Sequence, residues 1–173
     1  MLRLLLSADW RDTIAPRDWR IGHTDLGKLT VHGPAGENGI DVSISHTDRA
    51  LAIAVSDAFD VGVDLEPSRR RGQDPVVWSV LSAAEQQTLT GRRAADRTSQ
   101  FLRMWTLKEA YAKCTGSGAA LSFADLHTSF DPLAVTPSGD QSAAASYRFH
   151  QHQWSLHRDR HWVAIAVASR TGR

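Results

Sequence analysis

Apolar side chains recur at three- and four-residue spacing over residues 98–114, with no Gly or Pro between them, which predicts a long helix. Gly116 follows as its C-terminal stop. Trp78, Leu81, Glu85 and Leu89 predict a second helix within residues 74–89. If that helix starts late, Ser82 and Glu85 stand at the spacing of a capping box. Strand patterns surround both helices. The apolar run at residues 51–55 and the segment at residues 59–65 flank the turn-prone pair Ser56-Asp57, so a hairpin is expected there. Residues 121–130, 147–156 and 162–168 read as further strands, and the Pro-, Gly- and Ser-rich residues 131–146 as a long exposed loop.

One pattern occurs twice: Asp48-Arg49 leads into the strand at residues 51–55, and Asp159-Arg160 leads into a near-copy at residues 163–167. The echo predicts an α+β fold made of a pseudo-twofold pair of similar lobes. The organisation expected is one unit over residues 1–173 with approximate lobes 1–66 and 74–173. Composition agrees, since 42% apolar and 23% charged residues over 173 positions suffice for a real core. A formal charge of +1 argues against nucleic-acid binding. The single cysteine, Cys114, excludes an intramolecular disulfide and a multi-cysteine zinc site, which makes the reducing cytoplasm the simpler location. The apolar start at Leu2 and Leu4 to Leu6 is too short for a signal-peptide core, and no run approaches the roughly 20 apolar residues of a membrane span.

The charged residue types narrow the search. Of the 20 basic residues 17 are Arg, and of the 19 acidic residues 15 are Asp, so the few Lys and Glu residues stand out, among them Lys28, Lys108, Lys113, Glu66 and Glu109. On a strand over residues 61–66, Val61, Val63 and Leu65 share one face while Gly62, Asp64 and Glu66 share the other. Two carboxylates that close together are stable in water or around a hard divalent cation. On the long helix, Trp105, Glu109 and Lys113 form one stripe at i, i+4 and i+8, with Lys108 alongside. Taken singly, these signals also describe a solvated acidic strand and a surface Glu-Lys pair. Ser45-His46 after a short strand offers hydroxyl, imidazole and backbone N–H groups to an anion, and Lys28 after Gly27 offers a mobile point charge.

Together the segments S-I-S-H-T (43–47), V-G-V-D-L-E (61–66), F-L-R-M-W-T-L-K-E-A-Y-A-K (101–113) and G-S-G (116–118) resemble the 4'-phosphopantetheinyl transferase superfamily. Order and spacing are similar to its larger two-lobed type, represented by the surfactin-synthetase-activating enzyme, over about residues 27–168. The resemblance implies that Asp64, Glu66 and Glu109 hold Mg2+ with the pyrophosphate of coenzyme A. It implies that Lys113 contacts the phosphate and assists the leaving group, and that Ser45, His46 and Lys28 bind coenzyme A, Leu29 standing where the family has proline. Glu109 is then the residue that takes the proton of the carrier-protein serine. The partners implied are coenzyme A and an apo acyl or peptidyl carrier protein of fatty-acid, polyketide or nonribosomal-peptide synthesis, served by a monomer with no membrane partner.

Only 26 residues precede Gly27, where the larger type usually carries several dozen more, so the first lobe is expected to be shortened. Either Arg3, Arg11, Arg17 and Arg20 take over nucleotide contacts there, or coenzyme A is held weakly, or the true start lies upstream of Met1. Two other readings share the same residues: an Mg-dependent enzyme acting on another pyrophosphate, and an inactive relative that only binds coenzyme A or a carrier protein. The run Arg69-Arg70-Arg71 reads as a solvated loop or as a contact for an acidic partner, and His150, His152, His157 and His161 as histidines of an exposed strand rather than a zinc site.

Overall fold

The computed structural model describes residues 1–9, 14–37, 39–68, 78–139, 146–156 and 159–169. The chain opens with helix α1 (Leu2–Asp9), whose Leu2 and Leu6 are one helical turn apart and buried. They pack with Trp19, Val31, Ile40 and Val42 into a first core, beside a sheet of β1 (Arg20–His23), β2 (Leu29–Gly33) and the short β3 (Gly36–Glu37). The buried indole N–H of Trp19 donates to Ser7 Oγ at 3.1 Å. The hydrophobic start of the chain is therefore a core helix of this first half.

Next come β4 (Asp41–His46), β5 (Leu51–Ser56) and β6 (Phe59–Pro67), then α2 (Ala83–Leu89) and the long helix α3 (Ala94–Thr115). β7 (Leu126–Phe130), β8 (Leu133–Pro137), β9 (Tyr147–Leu156) and β10 (Asp159–Ser169) complete the α+β fold. The long helix falls where its periodicity puts it, and Gly116 closes it in the left-handed conformation at φ 70°. α2 takes the later of its two expected starts: Ser82 is the N-cap and a full capping box with Glu85 is formed. Residues 74–77 lie outside the described residues.

Three expectations need correction. The strand at residues 51–55 does not form its hairpin with residues 59–65; β5 pairs with β4, and β6 pairs with β10 in a β6–β10–β9 sheet. The turn is tight, with Ser56 Oγ accepting the N–H groups of Ala58 and Phe59, but the chain changes sheet there: one edge of β6 pairs with β10, and side chains of β4 take the N–H groups of the other. Residues 121–130 are strand only from Leu126, after a short 3-10 turn at Phe123–Asp125. The expected loop at residues 131–146 contains β8, because the apolar Val135 in it is fully buried and pairs with Thr128 of β7.

The two echoing segments become β5 and β10, each the second strand of one of the hairpins flanking β6. Val63 and Leu65 pack with Val163, Ile165 and the alanines Ala50, Ala52 and Ala54 on one face of β6. The other face lies under α3. There β10 offers Ala164, Ala166 and Ala168, which pack with Leu107, Ala110, Tyr111 and Cys114 of the helix, while Trp162 on the same face packs farther along against the cluster of Phe101 and Leu102. Gly62 completes the groove, since a Cβ on it would stand 1.9 Å from the Ala110 carbonyl oxygen and 2.5 Å from the Cys114 nitrogen. Small residues draw helix and sheet together, and the side chains next along β6 on that face are Asp64 and Glu66.

Candidate active site

The two β6 carboxylates meet the helical stripe in register. Glu66 Oε1 accepts the indole N–H of Trp105 at 2.9 Å, and Asp64 Oδ1 accepts the ammonium of Lys113 at 2.6 Å. Glu109 lies midway between Trp105 and Lys113 on α3 and lines the cavity that these two residues also line. Asp64 is 4% exposed and its Oδ2 is buried without a hydrogen-bond partner among the described residues. Among the described residues, no group of three His, Cys, Asp or Glu side chains is gathered tightly enough to be a metal nest by itself.

Beside this seam lies a cavity of about 530 Å³. Trp105, Glu109, Ala112 and Lys113 of α3 form one wall, and Leu26 to Leu29 with Val42, Ser43 and Ile44 form the wall opposite. Val80, Leu121 and Phe123 close an apolar end, where Trp105 is packed between Phe101 and Phe123 with ring centroids 6.1 and 5.4 Å away. Glu109 and Lys113 thus offer charge to a ligand whose remainder meets aliphatic and aromatic walls.

The residues expected to bind a nucleotide are placed differently from one another. Lys28 lines the cavity, but its Nζ is held by Asp41 Oδ2 at 2.8 Å and by the Cys114 carbonyl at 2.7 Å, which ties the Gly27-Lys28 turn to the end of α3. Ser45 is buried in the strand seam, where its hydroxyl donates to Asp64 Oδ1 at 2.9 Å. His46 is exposed at the end of β4. Arg3, Arg17 and Arg20 are exposed, whereas Arg11, Arg69 to Arg71 and His157 lie outside the described residues. His150 and His152 are exposed on β9 and His161 is buried.

Lys108, adjacent in sequence to Glu109, turns away into the core and is fully buried. Its ammonium binds Glu85 Oε2 and the carbonyls of Val80 and Phe123, both cavity-wall residues. Glu85 also accepts Ser82 N–H and both N–H and Oγ1–H of Thr128. Burial pushes the Glu85 carboxyl up, but the Lys108 ammonium and these donors outweigh it and hold the group below the usual glutamate range. Burial pushes the Lys108 ammonium down, against the opposing pull of Glu85. This hub escaped the reading of the sequence, although the capping box had marked Glu85. Cys114, under α3, has its thiol pushed up to about 12 by burial, although Lys28 opposes the shift.

Fold and site define the class first: an α+β protein whose cavity presents a lysine and a glutamate beside a buried aspartate. The model of the 4'-phosphopantetheinyl transferase superfamily matches residues 60–166, from β6 to β10, and the chain belongs to that superfamily. It is 27% identical over 108 residues to the 4'-phosphopantetheinyl transferase HetI of Nostoc sp. (62% of this chain, 46% of that protein). It is 32% identical over 78 residues to the 4'-phosphopantetheinyl transferase AcpT of Salmonella typhimurium (44% and 41%). The matched part is less than half the length of these curated relatives. Among solved structures, a holo-(acyl-carrier-protein) synthase from Bacillus anthracis in complex with CoA (3',5'-ADP) superposes with a TM-score of 0.49 at 20% identity, covering 66% of this chain and 99% of that one. No helix among the described residues is long and apolar enough to cross a membrane.

Proposed function

We propose that this protein transfers the 4'-phosphopantetheine group of coenzyme A to a serine hydroxyl of an apo acyl or peptidyl carrier protein, in an Mg-dependent reaction that releases 3',5'-ADP. The observation that carries this reading is the seam in which Asp64, with one oxygen left unpaired, and Lys113 meet beside the cavity lined by Glu109. The residues fit a hard divalent cation. A buried carboxylate oxygen without a partner is costly. Mg2+ needs only one or two carboxylates, because water and phosphate oxygens complete its octahedron. Asp64, Glu66 and Glu109 are the side chains that would hold it, and when bound it supplies charge neutralisation at the pyrophosphate.

The protein's own groups supply the rest. The cavity orients coenzyme A with its phosphates toward Lys113 and its less polar arm along Val80, Leu121 and Phe123. The carrier serine oxygen forms a bond to the β-phosphorus as the anhydride bond to the departing 3',5'-ADP breaks. Glu109, directly or through a water, takes the serine proton, and Lys113 stabilises charge on the leaving phosphate. Both walls come from one chain, which supports a monomer of the larger two-lobed type; the single cysteine is what favours the cytoplasm. The family match reaches the carboxylates and both helix residues but stops short of Lys28, Ser45 and His46. The experiment is incubation of the protein with coenzyme A, Mg2+ and a panel of apo carrier proteins, read by intact-protein mass spectrometry. A phosphopantetheine mass gain, lost with chelator and with Asp64→Ala, is expected; a panel that gains no mass with the wild-type protein sinks the reading. Glu109→Gln is expected to lower turnover by about 10²-fold or more.

A further inference from the structure

Ser45 belongs to the segment whose resemblance points to coenzyme A, yet its surroundings point elsewhere. β6 gives the N–H groups of Val61, Val63 and Leu65 not to a strand but to three side chains of β4: Asp41 Oδ2 at 2.7 Å, Ser43 Oγ at 3.0 Å and Ser45 Oγ at 3.1 Å. Alternate positions of β4 thus replace a neighbouring strand along this edge of β6. Asp41 also holds Lys28, and Ser45 alone of the three reaches a carboxylate of the seam. It accepts Leu65 N–H and donates its only hydroxyl proton to Asp64 Oδ1, the oxygen that also receives Lys113.

A serine hydroxyl has one proton to give. A phosphate contact would need that proton, and serving it would strip a hydrogen bond from a carboxylate that is 4% exposed. Ser45 is itself 8% exposed, and the β4 residues that line the cavity are Val42, Ser43 and Ile44. With Oδ1 held from two sides, the carboxylate plane is fixed and Oδ2 is the oxygen left without a partner.

We infer that Ser45 is a positioning residue for the cation-facing carboxylate of Asp64 and not a contact for the nucleotide of coenzyme A. The inference rests on the proposed reading for the identity of the two ligands. Its test needs no turnover: Mn2+ binding to the free full-length protein by electron paramagnetic resonance, and 3',5'-ADP binding in excess chelator by calorimetry. Ser45→Ala is expected to weaken Mn2+ about tenfold, as loss of a hydrogen bond to a charged group does, while 3',5'-ADP affinity stays within about twofold. Ser45→Cys, which keeps the shape with a weaker donor, is expected to fall between wild type and alanine, and it serves alone if the alanine variant does not fold. Unchanged Mn2+ affinity in these variants, or a tenfold loss of 3',5'-ADP affinity in chelator, overturns the assignment. Asp64→Asn separates the two levels. If it abolishes Mn2+ binding while Ser45→Ala has no effect, only the role of Ser45 falls; if it leaves Mn2+ binding intact, the cation site at Asp64 falls and the role of Ser45 with it.

Discussion

Gly62 shows how much a single missing side chain decides. Its place between Val61 and Val63 leaves a gap in the acidic face of β6, and the backbone of α3 fills that gap. The clashing atoms are helix backbone, which cannot rotate away. Gly62→Ala is therefore expected to destabilise by about 3 kcal/mol or more, measured by urea denaturation, and to displace Glu109 and Lys113 relative to Asp64. Glu85 carries a pH signature. Its carboxyl binds a proton more weakly in the folded than in the unfolded chain, so its stabilisation is complete above the ordinary glutamate range and is lost as pH falls through the lower folded value. Thermal melts should show a steep loss of stability on the acid side that flattens in Glu85→Gln. At neutral pH the same variant leaves Lys108 buried and uncompensated, a cost of about 3–5 kcal/mol.

At the scale of elements, the seam between β4 and β6 is the least ordinary feature. The alternation Asp41, Ser43, Ser45 resembles any strand with a polar face, yet those side chains are buried acceptors for the edge of β6. Ser43→Ala removes the acceptor of Val63 N–H. It should destabilise by about 1–3 kcal/mol in denaturant titrations, the cost of one orphaned buried donor. The helices were more legible than this seam. A capping box and a glycine stop act within a few residues, so Ser82, Glu85 and Gly116 declare their roles locally. The partner of β5 was not legible, because a tight turn at Ser56-Asp57 is compatible with a hairpin and with a change of sheet alike.

Across the whole molecule, the cavity joins segments far apart in sequence, from Leu26 to Phe123. A ligand that bridges both walls binds only the folded state, so 3',5'-ADP with Mg2+ should raise the melting temperature in proportion to the logarithm of its concentration. Melting unchanged at millimolar ligand would count against this cavity as the nucleotide site. The sequence by itself determined what depends on short range: the long helix, its stripe of Trp105, Glu109 and Lys113, the two faces of β6, and the α+β class. Helical and strand periods set these regardless of what surrounds them. Only the tertiary structure decided which hydroxyl serves Asp64, why Lys108 is core while Lys113 faces the cavity, and that Lys28 is bound to Asp41 and to the end of α3. Those outcomes turn on which buried groups compete for one donor, and that competition exists only once distant strands and helices share a core.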